Sequence, residues 1–240
     1  TMTGIERHGA GVAVQTDRGR IVGSAAVLAT NAFRSPIRAI NRRVVAVYDH
    51  VLATEPLNAE QLRSIGWVGR QGLSDTTNQF HYSRLTVDDR ILWGGYDAVF
   101  HNWGRIDERF EDRPETSMKL AEHFLATFPQ LEGVKIAHVW TGFVGATFSH
   151  LPHVGLHGRM GYAIGYNGTG VAMSSYLGMK LAQKMLGRGG ETALDGLELE
   201  TRPFFHGQTW YRRPVLALHD LKDNMASRGA RAGVALSSRL

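Results

Sequence analysis

The 240 residues contain no cysteine. That absence removes disulfides, thiolate nucleophiles, cysteine-type zinc sites and a thioether-linked cofactor, while either redox compartment still fits. Long hydrophobic runs are missing too: nothing approaches the ~20 apolar residues that span a bilayer, and the longest stretches, "AAVLA" and "VVAVY", read as buried strands. No basic-then-apolar segment opens the sequence, so a cytoplasmic protein without a membrane span is expected. Excess charge is absent from most of the chain. The first 200 residues balance 20 Lys/Arg against 20 Asp/Glu, and the net +5 comes from residues 201–240, with seven against two. That tail places Trp210 and Tyr211 beside Arg212 and Arg213 but shows no broader basic face with interleaved aromatics, so a solvated tail is expected and nucleic acid is not. With 43% hydrophobic and 20% charged residues, the composition is globular and suits one large domain or two small ones.

Along the chain, "GVAVQTDRGRIVGSAAVLATNAF" reads as strand, turn, strand: Val12 and Val14 alternate with other residues, Asp17 to Gly19 turns, and a second strand runs from Ile21 to Leu28. A domain seldom begins with an edge hairpin that has nothing to pair with, so sequence upstream is expected. Residues 44–54 are β-branched and strand-like. Residues 80–100 read as two strands turning at Asp88 and Asp89, with Phe80, Tyr82 and Arg84 on one face of the first strand and His81, Ser83 and Leu85 on the other. Residues 115–128 form the clearest amphipathic helix, with Ala121, Phe124, Leu125 and Phe128 as its stripe, Pro114 at its start and Pro129 ending it. "KIAHVWTGF" is strand-like, and a loop rich in His, Pro and Gly covers 149–161. No internal repeat is visible.

The most informative stretch is "AIGYNGTGVAMSSYLGMKLAQKMLG", residues 163–187. A short apolar strand enters a turn with Gly165, Gly168 and Gly170, and the turn opens a long helix with Gly187 as its C-terminal stop. The first N–H groups of such a helix carry about half a positive charge and attract an anion or an electron-rich ring edge. Ser175, Gly178 and Ala182 form a small-residue stripe that would let the helix lie close to a sheet. The turn is not a GxGxxG, because Met173 stands where the last glycine would be, and it has no P-loop lysine. Read alone, it fits a plain strand-to-helix turn equally well.

Three blocks in order, "VLATNAF" (27–33), "WTGFVGATFSHLPHVG" (140–155) and "YAIGYNGTGVAMSSYLGMKLA" (162–182), resemble the later part of the FAD-dependent amine and amino-acid oxidoreductase family, which includes D-amino-acid oxidase, glycine oxidase, monomeric sarcosine oxidase and γ-glutamylputrescine oxidoreductase. The resemblance covers about residues 10–190. It implies FAD as cofactor, with Thr30, Asn31 and Ala32 following the strand that leads to the flavin. It further implies that Gly142 and Phe143 occupy a loop beside the isoalloxazine, and that Gly168, Thr169, Gly170 and Val171 form a helix N-terminus at the pyrimidine edge. A helix dipole there would favour the negative charge of the reduced ring. The family's dinucleotide fingerprint on the first βαβ unit has no counterpart in this sequence, so the chain resembles the C-terminal two thirds of such an enzyme.

On the substrate side the resemblance implies a strand pair, 80–86 with 91–97, over the flavin. Tyr82 would border the substrate. Trp93 falls where sarcosine-oxidase-like members place a lysine that promotes reaction with oxygen, which argues against oxygen as acceptor. The arginine that clamps a substrate carboxylate in glycine and D-amino-acid oxidases has no match in "GFVGATFSHLP", so a carboxylate-anchored amino acid is disfavoured. Arg84 would substitute only if it faced inward. Trp67, Trp93, Tyr96 and Trp103 suit either an aromatic cavity for an amine or polyamine-like substrate, or ordinary core packing. His150, His153 and His157 sit where Pro152 and Gly155 break any helix, so no metal is expected, and His150 is an acid/base or electrostatic candidate.

The expected fold class is α/β with an α+β substrate domain: an incomplete FAD-binding, Rossmann-like domain (1–42 and 140–195), an antiparallel-sheet substrate domain (43–139) and a basic C-terminal tail (196–240). The expected catalytic residues are Tyr82, Trp93 and His150, and the expected partner is a small-molecule amine or amino acid. The expected function is FAD-dependent oxidation of an amine or amino-acid C–N bond, with the fragment alone inactive. Two alternatives stand beside it: an accessory chain whose partner supplies the missing nucleotide-binding half, and an NAD(P)-dependent reductase.

Overall fold

A computed structural model describes residues 1–35, 37–101, 104–201, 217–218 and 221–222. Trp103, Trp210, Tyr211 and most of the basic tail lie outside the described residues. In chain order the elements are β1 (Met2–His8), β2 (Gly11–Thr16), β3 (Gly19–Gly23), β4 (Ala26–Leu28), α1 (Arg38–Asn41), β5 (Val44–Thr54), α2 (Ala59–Ile65), β6 (Leu73–Ser74), β7 (His81–Leu85), β8 (Ile91–Gly95), β9 (Val99–Phe100), α3 (Pro114–Thr127), β10 (Ile136–Thr147), β11 (His153–His157), β12 (Met160–Ile164) and α4 (Gly170–Met185). The chain divides into two compact units. Among the described residues, the first comprises 1–35, 37–47, 100–101, 104–106 and 143–201, and the second 48–99, 107–142, 217–218 and 221–222.

In the first unit, β1, β2 and β3 form an antiparallel meander. Strand β1 supplies the partner that the hairpin appeared to lack; its sequence, MTGIERH, has no clean alternation to announce it. The single strand expected over 21–28 is in fact two. β3 stops at Gly23, and β4 starts at Ala26 in a different sheet, ordered β11-β12-β4, where it runs parallel to β12. At the end of β3 the backbones of Gly11 and Gly23 meet so closely that a Cβ on Gly11 would lie 2.3 Å from the Gly23 carbonyl oxygen.

Helix α4 covers the small sheet. Leu177 and Leu181 bury against Val154 and Ala163, flanked by Met173 and Met185. This corrects the expected packing stripe: Ser175, Gly178 and Ala182 are exposed, and the close approach comes from the strand instead. A Cβ on Gly161 of β12 would sit 2.9 Å from the Met185 sulfur and 3.0 Å from Leu181 Cδ1. The helix ends as expected, with Gly187 at φ +65° and its N–H bonded to the Lys184 carbonyl.

In the second unit the sheet order is β10-β5-β8-β7-β6, with β9 also on β5. The β7–β8 hairpin turns where Asp88 and Asp89 predict, Asp89 taking φ +63°. One face packs on α3, where Leu52, Leu85, Ile91 and Trp93 meet Leu120 and Phe124. Helix α3 has the expected bounds, but its buried face is Thr116, Leu120 and Phe124. Leu125 is 40% exposed, so the stripe is centred one position earlier than expected. Phe128 follows the helix and stacks on Trp67 at 6.1 Å. Gly142 and Phe143 lie within the 12-residue strand β10, not in a loop; neither Gly142 nor Gly145 is among the glycines with positive φ.

Candidate functional site

Three segments far apart in sequence converge in the first unit. After β4 the chain turns at Asn31, which adopts φ +44°, and its Oδ1 accepts the Gly165 N–H at 3.1 Å. Gly145 on β10 lies directly against it, where a Cβ would fall 2.5 Å from that same Oδ1. A second asparagine, Asn167 at φ +50°, donates its N–H to the Gly145 carbonyl at 2.9 Å and accepts the Thr147 N–H on Oδ1 at 2.8 Å. Its Nδ2 donates to the Gly165 carbonyl at 2.5 Å. Two amide side chains thus lace the Gly165–Gly168 turn to β10 and to the end of β4. Beside them Phe33 and Phe143 meet edge to face at 5.1 Å.

The turn presents the start of α4 without filling it. Thr169 occupies the cap position, but its hydroxyl donates back to the Tyr166 carbonyl at 2.7 Å, and no side chain caps the helix. The first turn carries no acidic residue. Gly168, at φ +90°, has nothing within 4 Å of where a Cβ would be, and Val171 is 96% exposed. Unclaimed N–H groups and the helix dipole therefore face outward as a partial positive charge. Nearby in sequence to Asn31, the Thr30 hydroxyl is buried with no hydrogen-bond partner among the described residues, which is costly unless a ligand supplies one.

In the second unit the strands separate two sets of side chains. Tyr82 on β7 pairs with Gly94 on β8, which pairs in turn with Val51 on β5. The Tyr82 ring lies across Gly94, and its hydroxyl donates to Asp49 Oδ2 at 2.7 Å. A Cβ on Gly94 would stand 2.6 Å from both Cζ and the hydroxyl oxygen of Tyr82. Burial pushes the Asp49 carboxyl up, against the pull of the Tyr82 bond. Burial also pushes the Tyr82 phenol up, reinforced by the Asp49 charge. On the opposite face His81 stacks on Trp93 at 4.6 Å and on Tyr96 at 5.1 Å. Its ring bridges Asp75 and His123, both at 3.0 Å. Burial holds His81 below the usual imidazole range, partly offset by Asp75.

Tyr82 and Trp93 lie on opposite faces of the second unit's sheet, and His150 belongs to the first unit. Trp93 belongs to the α3-facing core, packed on Phe124 and Phe128, with Tyr82 on the other side of the sheet. Its expected place beside the reacting centre is corrected on that ground: strand alternation turns residue 93 away when residue 94 faces Tyr82. Trp67 is core as well, and Arg84 is exposed. His150 sits in an exposed turn of the first unit at φ +55°. The histidine engaged there is His153, fully buried, with Nε2 2.9 Å from the Ser149 hydroxyl and Nδ1 3.4 Å from the Leu197 carbonyl. Among the described residues no group of three or more His, Asp or Glu could hold a metal, and no helix is long and apolar enough to cross a membrane. Sequence reasoning missed Asp49, although a signal existed: it is the one Asp, Glu, Lys or Arg in the strand VVAVYDHVLAT.

A family model described as FAD dependent oxidoreductase (DAO) matches residues 1–184. The chain belongs to that family. It is 31% identical over 189 residues to a probable oxidoreductase OrdL of Haemophilus influenzae, covering 76% of this chain and 40% of the relative. It is 29% identical over 230 residues to the gamma-glutamylputrescine oxidoreductase of Escherichia coli, covering 91% and 50%. The chain thus spans about half the length of the curated relatives it matches. Its fold resembles a glycine oxidase from Geobacillus kaustophilus, with TM-score 0.64 and 18% identity over 85% of this chain and 52% of that one. An L-proline dehydrogenase from P. horikoshii follows at 0.61, with 18% identity, 81% and 51% covered. FAD is the cofactor of this DAO family, and the exposed, uncapped start of α4 and the unsatisfied Thr30 hydroxyl are features that a flavin's polar edge fits.

Proposed function

We propose that this chain is the part of a FAD-dependent oxidoreductase that oxidises the C–N bond of an amine or amino acid, an amine being favoured. The observation that carries the reading is the outward, uncapped N-terminus of α4, laced in place by Asn31 and Asn167. In this reading Gly168, Thr169, Gly170 and Val171 would face the ring's pyrimidine edge, with Gly168, Gly170 and Val171 supplying N–H groups while the Thr169 N–H stays on the Tyr166 carbonyl. Thr30, Asn31 and Ala32 hold its polar rim, Gly142 and Phe143 lie alongside, and Tyr82 borders the substrate. FAD, when bound, would supply a two-electron acceptor for the hydride leaving the amine's α-carbon; water would then hydrolyse the resulting imine to a carbonyl compound and the freed amine. The chain's own groups orient the α-carbon and favour negative charge on the reduced ring. No dedicated base is needed if the reacting amine binds neutral. An amine is favoured because the segment "GFVGATFSHLP" holds no arginine and Arg84 is exposed.

The test is the visible absorption spectrum of a longer form that includes a nucleotide-binding half, titrated without oxygen with amines, polyamine conjugates and amino acids. Bleaching of a bound flavin by an amine is expected. A yellow protein that no C–N substrate bleaches would overturn the reading.

A second reading gives the missing half to a partner chain. It draws support from α4, whose exposed residues, Val171, Ser175, Tyr176, Gly178, Met179 and Ala182 among them, carry no charge. In either case the chain by itself is expected to retain little flavin and to be inactive. Co-expression with a nucleotide-binding half should restore flavin retention, and retention by the chain alone would refute this.

A further inference from the structure

We propose that Asp49, steadied by Tyr82, anchors a second, non-reacting ammonium group of the substrate, so that the amine oxidised is one end of a diamine or polyamine-like molecule. This rests on the reading above and adds a substrate class and the residue that selects it.

The pair is a costly construction. Tyr82 reaches Asp49 only by crossing the β8 strand between them, and it crosses at Gly94, where any Cβ would collide with the ring. A glycine within a strand weakens it, so the site gives up local stability to keep a phenol against a carboxylate. That carboxylate is half-buried and has no ion-pair partner among the described residues. The ion pairs of this unit engage Asp75, Asp88, Asp89, Asp97, Asp107 and Glu115, and leave Asp49 out. Its donors are the Tyr82 hydroxyl, aided by the backbone at Gly95 and His50. A partly desolvated carboxylate with neutral donors alone gains most from a cation; the one titratable neighbour that draws it, His50, is held below the usual imidazole range by burial.

A ligand's ammonium meets that need. The aromatic ring of Tyr82, with Phe80 on the same strand face and 51% exposed, adds π-surface that also favours a cation. A substrate carboxylate would be repelled. The ammonium held here is not the nitrogen that reacts. Hydride leaves an α-carbon beside a neutral amine, whereas a neighbouring carboxylate raises the amine's pKa and keeps its proton on. The substrate therefore carries two amino groups, one protonated at Asp49 and one free to be oxidised.

The binding test needs no flavin. The full chain is titrated by NMR with n-butylammonium chloride, the neutral isostere 1-butanol, and sodium butyrate. Butylammonium should shift resonances around Asp49 and Tyr82 and bind about tenfold or more tightly than either other probe. Asp49→Asn should erase that preference, while Tyr82→Phe should weaken it a fewfold. Should Asp49→Asn fail to fold, the probe comparison on the unaltered chain decides by itself. Equal binding of butanol and butylammonium overturns the inference. In the flavin-loaded longer form, Asp49→Asn should lower kcat/KM for 1,4-diaminobutane about tenfold relative to butylamine. Amine oxidation with that ratio unchanged would sink the anchor and leave the proposed function standing. Selective ammonium binding without any amine oxidation would do the reverse.

Discussion

Helix α3 buries Thr116, Leu120 and Phe124 in a core that includes Trp67, Trp93 and Leu131, and it exposes Glu115 and Glu122 among its outer residues. Helix α4 buries only Leu177 and Leu181, in a cluster of four buried residues, and every fully exposed residue along it is uncharged, with Met179 51% and Leu186 just beyond it 65% exposed. The two helices are of similar length, so the difference is not one of size. Helix α3 also leaves Met118 64% and Leu125 40% exposed, so what sets α4 apart is that its exposed positions carry no charge at all.

The sharpest way to break that comparison is to cut each core. Phe124→Ala should cost about 3–5 kcal/mol, since Phe124 is fully buried and packs on Trp93 and Phe128. Denaturant unfolding should show the loss in the second unit, and near-wild-type stability would mean its core is looser than it looks. A middle-sized effect is expected from Gly94→Ala, about 1–3 kcal/mol from overpacking against Tyr82, together with loss of the Tyr82–Asp49 bond, readable as a changed tyrosine titration.

An acid-side effect should appear in both units. Burial depresses the pKa of His50, His81 and His153 below 6.5. The unfolded chain therefore takes up protons first as pH falls. The stability they contribute is present above about pH 6.5 and is lost as pH falls through their folded values. Melting should be lower at pH 5.5 than at 7.5. His50→Leu should flatten that slope, because the buried His50 ring has no hydrogen-bond partner among the described residues. The smallest expected effect on stability is the most telling for the comparison. Ala182→Glu on the exposed face of α4 should change the chain's own stability by no more than about 0.5 kcal/mol, yet abolish flavin retention when the nucleotide-binding half is co-expressed.

Much of this was legible in the sequence where local chemistry decides. The β5 strand, the Asp88–Asp89 turn, the limits of α3 and the Gly187 stop all follow from residue types within a few positions. The convergence of the 27–33, 140–155 and 162–182 blocks was implied by resemblance, and Asn31 and Asn167 show how it is achieved. What was missed depends on distant partners. The identity of the face that α4 buries hinges on Gly161, a strand glycine whose value appears only once Leu181 leans on it. Trp93 read as a site residue because hairpin position alone does not say which side of the sheet is covered. Asp49 was overlooked because the hydroxyl that explains it lies 33 positions away.

Thr169 gives a last consequence. By turning its hydroxyl back to Tyr166, the chain forgoes a cap of about 1 kcal/mol. A guest seated at the start of α4 would restore that deficit, so saturation and folding become linked: at a hundred times the dissociation constant the gain is about 2.7 kcal/mol. Heat resistance would then serve as a gauge of how fully the protein is loaded.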